Sequence, residues 1–453
     1  MPEDEVLEGS NSDGSSHENP KMPKDALANK KHKSNKDSKK KKKKRGGSKR
    51  RMTPEQTVAF EAVAEWAYSG QPLPASSPDG FGVEGGNTNG GGRRQRVVFE
   101  LHSHSKCSDG FLSPSSLVER AHSNGVKVLA LTDHDTMSGV PEAVEAAKRF
   151  GIRIIPGVEI STMFAPGNDK AEEPVHILAY YSSCGPTRFD EVEEFLMNIR
   201  DGRYVRAKDM VLKLNKLKLP VRWEHVSRIA GVGVAPGRLH VARAMVEAGH
   251  VENLKQAFAR FLYDGGPAYS TGNEPDPEKA IQLIRKTGGL AVLAHPWALK
   301  DPLTIIERLK DAGLHGIEVY RGDGKLSVYS DLADTYGLLK LGGSDYHAKG
   351  GTIESELGSV NVPVLDLHEF IKAACPVWHE SIKGVLNSYA EEPSESNLAR
   401  ITRFGSVSVS NKCVGRNGVP DLISHLLSLW LTDDERRTDE FKAIMLKLSQ
   451  VSV

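Results

Sequence analysis

Seven short, mostly apolar segments recur between residues 96 and 347, and six of them end in side chains able to bind a divalent cation. They read VVFELHSHSKCSDG, VLALTDHD, IIPGVEIS, VHILAYY, LAVLAHP, GIEVY and LLKLGGSDYH. Runs such as VKVLAL and IRIIPGV, apolar at nearly every position, suit strands buried on both faces of a parallel sheet. Helical stretches separate the first three. Ser113-Pro114 caps one that runs through Ser123, and Pro141 opens another that Gly151 stops. This alternation predicts an α/β fold, a distorted seven-stranded β/α barrel. Such barrels gather their chemistry on the C-terminal rim of the strands.

After the fourth strand the rhythm breaks. Residues 186–285 read as helical almost throughout, with EEFLMNIRDGRYVRAKDMVLKLNKL as the longest piece, and predict a helical insertion over the barrel mouth. The expected organisation is a disordered basic tail (1–52), a helix and Gly-rich linker (53–95), a first barrel part (96–185), the insertion (186–285), a second barrel part (286–385) and a C-terminal extension (386–453). In the second unit Thr53 caps the helix and Pro54 takes its first position, followed by a Pro/Gly-rich linker over 71–93. The last unit should be turn-rich, with a charged helix over 433–449 and no pattern that suggests chemistry.

A net charge of +1 conceals a strong asymmetry. Lys30 to Arg51 holds 14 Lys or Arg against one Asp, a local +13 that leaves −12 for the remainder. Three readings suit the run: a solvated tail, a signal for a nuclear import receptor, or a nonspecific RNA tether. No aromatic side chain interrupts it, so base stacking is not indicated. The polar, acidic first residues do not resemble a secretory signal, and no apolar run approaches the roughly 18 residues of a membrane span. The expectation is a nuclear or cytoplasmic protein without a membrane segment. Cys107, Cys184, Cys375 and Cys413 are scattered with no CxxC pair, which predicts reduced thiols and no zinc knuckle.

His102 and His104 lie two apart at a strand end, so both side chains share a face. The turn SKCSDG brings Asp109 back toward them. His134 follows a buried strand, with Asp133 or Asp135 available to orient its ring. Glu159 ends the third strand, and its two oxygens could bridge two ions. His176 lies in the fourth strand and His295 ends the fifth. GGSDYH supplies Asp345 and His347, with glycines permitting close backbone approach. This mixed N/O donor set without thiolate suits Mn²⁺, Zn²⁺ or Fe²⁺. His122, His250, His315, His368, His379 and His425 fall in helices, turns or the tail and read as structural or surface residues. Clustered divalent ions favour phosphate-ester hydrolysis. No GxSxG elbow or GxxxxGK[ST] loop competes with that reading.

HSHSKCSDG, TDHD, GVEIS, AHP and GSDYH together resemble the motifs of the PHP (polymerase and histidinol phosphatase) superfamily. The likeness covers residues 97 to about 360 and is strongest to the branch of nucleoside 3′,5′-bisphosphate phosphatases and 5′-to-3′ exoribonucleases. It implies a trinuclear site with two to three divalent ions, Mn²⁺ foremost. His102, His104, Glu159 and Asp345 would hold one ion; Glu159, His176 and His295 a second; Asp109, His134 and His347 a third. Asp345 would also be catalytic by position. In AHPWA, Trp297 stands where that branch often has Gly, and FAPGNDKAEEP lengthens the loop before the fourth strand.

Arg200, Arg203 and Arg206 recur every three residues on the insertion helix, and GRLHVAR adds Arg238 and His240. By spacing alone this is a solvent-facing basic stripe. The resemblance implies instead that these arginines grip a distal phosphate, with His240 protonating the leaving group. The implied substrate is a nucleoside 3′,5′-bisphosphate or short 5′-phosphorylated RNA. A histidinol-phosphate-type monoesterase and a noncatalytic, nucleic-acid-associated PHP module are the alternatives. Removing residues 1–52 is expected to leave hydrolysis of a mononucleotide unchanged, checked by phosphate release from the truncated and full chains.

Overall fold

The computed structural model describes residues 52–69, 96–165, 172–322, 328–348, 354–404 and 423–450, apart from 425 and 429. The basic tail, the Gly-rich linker, most of the loop before the fourth strand, Cys413 and His425 lie outside the described residues. Seven strands form one sheet in sequence order: β1 (Val98–Glu100), β2 (Val126–Leu131), β3 (Arg153–Phe164), β4 (Glu173–Tyr180), β5 (Leu290–Leu293), β6 (Gly316–Glu318) and β7 (Leu339–Leu341).

The segment pattern predicts a parallel sheet, whereas the observed sheet is mixed. β4 runs antiparallel to both β3 and β5, while the other neighbours are parallel. Only residues 165–172 join β3 to β4, too few for the crossover that a parallel pair needs. The reversal has a useful result. It brings the N-terminal half of β4 to the rim where the other strands end, and His176 there pairs with Ser161. β1 and β7 share no ladder. An isolated parallel bridge between Ser103 and Tyr346 draws their extensions together, with His104 N–H donating to Tyr346 O at 2.9 Å and Asp345 N–H to His102 O at 3.0 Å. The sheet therefore curls and is pinned shut at the functional end only.

Both faces of the sheet are apolar and covered. On one, α2 (Pro114–Ser123), α3 (Val140–Phe150), α8 (Pro277–Lys286) and α9 (Pro302–Asp311) bury Leu117, Ala147, Ile284 and Ile305. Ser113 caps α2, and Gly151 ends α3 in the left-handed region at φ 60°. On the other face, Phe99, Val128, Ile155 and Leu178 meet α1 (Pro54–Tyr68) and α11 (Val364–Glu391) through Trp66, Phe370 and Trp378. Thr53 and Gln56 form a capping box at the start of α1.

A third core belongs to the insertion. α4 (Phe189–Lys216) buries Val192, Leu196 and Ile199 with the sheet, then Ala207, Met210 and Leu214 in a separate cluster. α5 (Trp223–Ala230), α6 (Arg238–Glu247) and α7 (Leu254–Ala257) complete that cluster with Val226, Met245 and Ala257. The separate core thus spans residues 207–268, narrower than 186–285, because α8 packs back on β3, β4 and β5. The boundary after 385 falls inside α11, which continues to Glu391. Pro376 lies inside α11, and burial of Phe370 and Trp378 on either side holds the helix through it. The final charged helix begins only at Asp439, after a turn that follows Asp433–Arg436. No helix among the described residues is long and apolar enough to cross a membrane.

Trp378 joins these layers. Its ring lies 6.0 Å from Trp66, 6.0 Å from Phe370 and 5.7 Å from Trp430, and its Nε1–H donates to Tyr180 O. Trp378→Ala is expected to destabilise the full chain by about 3–5 kcal/mol, read from the urea midpoint.

Candidate metal centre

The convergence at the rim centres on Glu159, which is buried in β3. Its Oε2 lies 3.0 Å from His104 Nε2, 3.1 Å from His102 Nε2 and 3.4 Å from His134 Nδ1. Its Oε1 lies 2.8 Å from His176 Nδ1 and 3.1 Å from His295 Nε2. Asp345 Oδ1 approaches His104 Nε2 at 3.2 Å and His102 Nε2 at 3.4 Å. Asp109 Oδ1 lies 3.2 Å from His347 Nε2. Donor atoms of His102, His104, Glu159 and Asp345 fall within 4.8 Å of one another, as do those of His104, Asp109, His134 and His347, and those of His134, Glu159 and His176. All nine residues singled out by the sequence come together.

A second set of carboxylates aims these donors. Glu318, at the end of β6, contacts His102 Nδ1 with Oε1 at 3.1 Å and accepts His295 N–H on Oε2 at 2.8 Å. Fully buried Glu100 accepts N–H bonds from His102, Ser344 and Gly358. Neither was expected. The signal was present in GIEVY, whose Glu ends the one strand without an assigned donor. Asp133 accepts from Ser105 N–H at 2.7 Å and from the Ser105 and Ser108 hydroxyls, which fixes the loop carrying Asp109. Asp135 accepts from Ser161 N–H and Oγ–H and pairs with Arg203 Nε at 2.6 Å. Neither aspartate therefore orients the His134 ring, contrary to the sequence reading: each is consumed by a backbone-shaping contact.

His295 and Asp345 both sit in the left-handed region, at φ 30° and 53°. Such backbone costs of order 1–3 kcal/mol for a non-glycine residue, and the bonds from His295 N–H and Asp345 N–H hold it. At Gly343 a Cβ would stand 2.4 Å from His102 Cβ, so only glycine lets β7 approach the centre.

Burial disfavours charge on His102, His104, Asp109, His134, Glu159, His295 and Asp345, yet pairing prevails for all of these except His134. Glu159 is held well below the ordinary carboxylate range because pairing with His102 outweighs its burial. His347 and His104 do the same for Asp109. His104 is pushed up to about 10, as Asp345 and Glu159 overcome its desolvation. His134 goes the other way: burial dominates and its imidazole is neutral. His104 Nδ1, His134 Nδ1 and Asp109 Oδ1 are buried and make no hydrogen bond. Inward-facing lone pairs without donors fit a bound cation, and imidazole with carboxylate suits a divalent one.

An open cleft of about 230 Å³ lies above the cluster. Arg203, Arg206 and Arg238 line it opposite the imidazoles. Arg203 is tied to Asp135 and Ser161, Arg206 to Glu274, and Arg238 to Asp264. Arg200 does not line the cleft; it donates to Asp135 O at 2.8 Å and pairs with Glu193. His240 is buried in α6, where its Nδ1 accepts from Gly237 N–H at 2.9 Å. Burial pushes it down to about 4, so it carries no proton to give near neutral pH. Its geometry is that of a cap that shapes the Gly237–Arg238 turn. Trp297 does not line the cleft either, since it stacks under the Arg321 guanidinium at 4.8 Å.

The curled sheet and its ring of imidazoles define a metal-dependent hydrolase centre. The PHP domain model matches residues 100–215. A 3′,5′-nucleoside bisphosphate phosphatase of Chromobacterium violaceum is 34% identical over 258 residues, 55% of this chain and 87% of that protein. A 5′-3′ exoribonuclease of Haemophilus influenzae is 34% identical over 293 residues, 62% of this chain and 98% of that protein. A crystal structure described as a metal-dependent phosphoesterase from Bifidobacterium adolescentis superposes with a TM-score of 0.53 at 28% identity, covering 61% of this chain and 96% of that one. The chain belongs to the PHP domain family.

Protons and metal compete for the same nitrogens, so affinity must fall as pH falls below the raised value of His104. Calorimetric titration is expected to show proton release on metal binding and an affinity weaker at pH 6 than at pH 8, by about tenfold per pH unit for each proton displaced.

Proposed function

We propose that this metal-dependent phosphoesterase releases phosphate from nucleoside 3′,5′-bisphosphates and degrades short RNA bearing a 5′ phosphate from its 5′ end, releasing mononucleotides. The observation that carries the reading is the cleft with two unlike walls: Asp109, His134, Glu159, His176, His295, Asp345 and His347 on one, with His102 and His104 buried beside them, and Arg203, Arg206 and Arg238 on the other. A substrate with one phosphate is satisfied by either wall. A substrate with two, spaced by a ribose, is satisfied by both. Leu239, Phe258 and Tyr269 add apolar surface between them for the nucleoside. The names of the two relatives agree with this chemistry.

Divalent ions held here, Mn²⁺ foremost, supply Lewis acidity, ionise a water near neutral pH and neutralise phosphate oxygens. His102, His104, Glu159 and Asp345 would hold one ion, Glu159, His176 and His295 a second, and Asp109, His134 and His347 a third. Glu318 keeps the His102 imidazole and the His295 backbone in place, and Glu100 anchors the main chain at His102. Arg203, its fork fixed by Asp135 and Ser161, presents its remaining N–H edge to the cleft. Arg206 and Arg238 exchange Glu274 and Asp264 for phosphate oxygens when substrate enters. His240 has no part in proton transfer and sets the turn that aims Arg238. A simple monoesterase would leave the arginine wall without a role. A noncatalytic module would not bring all nine donors together.

The decisive assay on the Mn²⁺-loaded full chain is phosphate release from adenosine 3′,5′-bisphosphate and p-nitrophenyl phosphate, and mononucleotide release from 5′-phosphorylated oligoribonucleotides. The bisphosphate and the oligoribonucleotides are expected to exceed the monoester in kcat/KM; equal or lower values would overturn the reading. Arg206→Ala is expected to raise KM for the bisphosphate by about 10–100-fold, the loss of one charge-assisted contact, and to spare the monoester. Asp345→Ala is expected to reduce turnover by about 1000-fold or more with its circular dichroism spectrum unchanged.

A further inference from the structure

We propose that Cys375, His379 and Glu435 form a second metal site, of zinc type, which fastens the C-terminal segment to α11 away from the hydrolytic rim. Their Sγ, ring nitrogen and carboxylate oxygen lie within 4.8 Å of one another. Cys375 and His379 stand four residues apart on α11, hence on one face of the helix. Glu435 arrives from the short helix Asp433–Arg436 and places Oε1 3.3 Å from His379 Nε2. His379 and Glu435 keep 19% and 27% of their side-chain surface open, which leaves room for a water as fourth ligand. Among the described residues this is the one such cluster with a sulfur donor.

An independent observation points the same way. Arg153 opens β3 and is 4% exposed, and its Nε and one terminal nitrogen have no hydrogen-bond partner. Trp66 and Trp430 flank its guanidinium at 4.3 and 5.6 Å, and Cys375 and Glu435 are the charged or ionisable groups within its electrostatic reach. A neutral thiol is a weak acceptor; a thiolate on a metal is a strong one. Arg153 would repel a cation held by neutral ligands, yet it complements one whose ligands bring two negative charges.

Burial pushes the Cys375 thiol up to about 12 and keeps the His379 imidazole neutral despite Glu435, with Lys383 and Glu380 further out. Binding therefore expels the thiol proton to solvent as the sulfur–metal bond forms, and needs no other reactant. Arg153 starts β3 six residues before Glu159, so the two sites lie about 20 Å apart along the strand. The sulfur, nitrogen and oxygen donors favour Zn²⁺ over the harder ions of the rim.

Cobalt distinguishes the two sites, since only a sulfur ligand gives a thiolate-to-cobalt charge-transfer band in the near ultraviolet. The full chain titrated with Co²⁺ is expected to show this band at one equivalent, in the parent and in Glu159→Gln alike. Cys375→Ser should abolish it and leave phosphoesterase activity intact. The same variant should expose the last helix to limited proteolysis at a rate the parent reaches only after chelation. No band in the parent, or a band that survives Cys375→Ser, would overturn the proposal. Loss of hydrolysis in Asp345→Ala bears on the rim alone, so the two readings fail separately.

Discussion

One carboxylate surrounded by five imidazoles sets the terms for the rest of the molecule. Glu159 has His102, His104, His134, His176 and His295 within 3.4 Å, and it is itself buried beneath the cleft. Desolvating so many ionisable groups is costly unless each is paired, and here most are paired to one another. The arrangement needs strand ends from across the whole sheet to meet within a few ångströms. The curl, the Ser103–Tyr346 bridge and the reversed β4 all serve that requirement. Backbone that would be strained elsewhere, at His295 and Asp345, is held by the same contacts.

The outer carboxylates explain how such a cluster is kept rigid. Glu318 ties the ligands of β1 and β5 together through a single side chain, and Glu100 ties β1 to the stretches after β7. Asp133 and Asp135 shape the two loops on either side of His134. Each buried acid accepts at least one backbone N–H, and Glu100 accepts them from His102, Ser344 and Gly358, so main chain as well as side chains frames the rim.

Much of this was legible in the residues themselves. Uniformly apolar runs gave the strands, the Pro and Gly punctuation gave the first helices, and the spacing of His and carboxylates gave the nine donors. What escaped had physical reasons. Strand direction is not written in a buried run, and only the short β3–β4 connection reveals that β4 is reversed. The roles of Asp133, Asp135 and His240 turned on which nearby backbone group lay within reach. Glu318 looked like an ordinary strand residue until its neighbours were in place. The likeness to the PHP family added the grouping of donors around ions, which spacing alone left open.

α4 has a mechanical consequence. Its 28 residues make a rod of about 42 Å whose lower turns are embedded among the strands and whose upper turns belong to the lid. Arg203 and Arg206 project where the two parts join. A lid mounted on a continuous helix bends rather than swings. The distance between the cationic wall and the imidazoles is thus set by the stiffness of one helix, and the gap acts as a fixed gauge for ligand length.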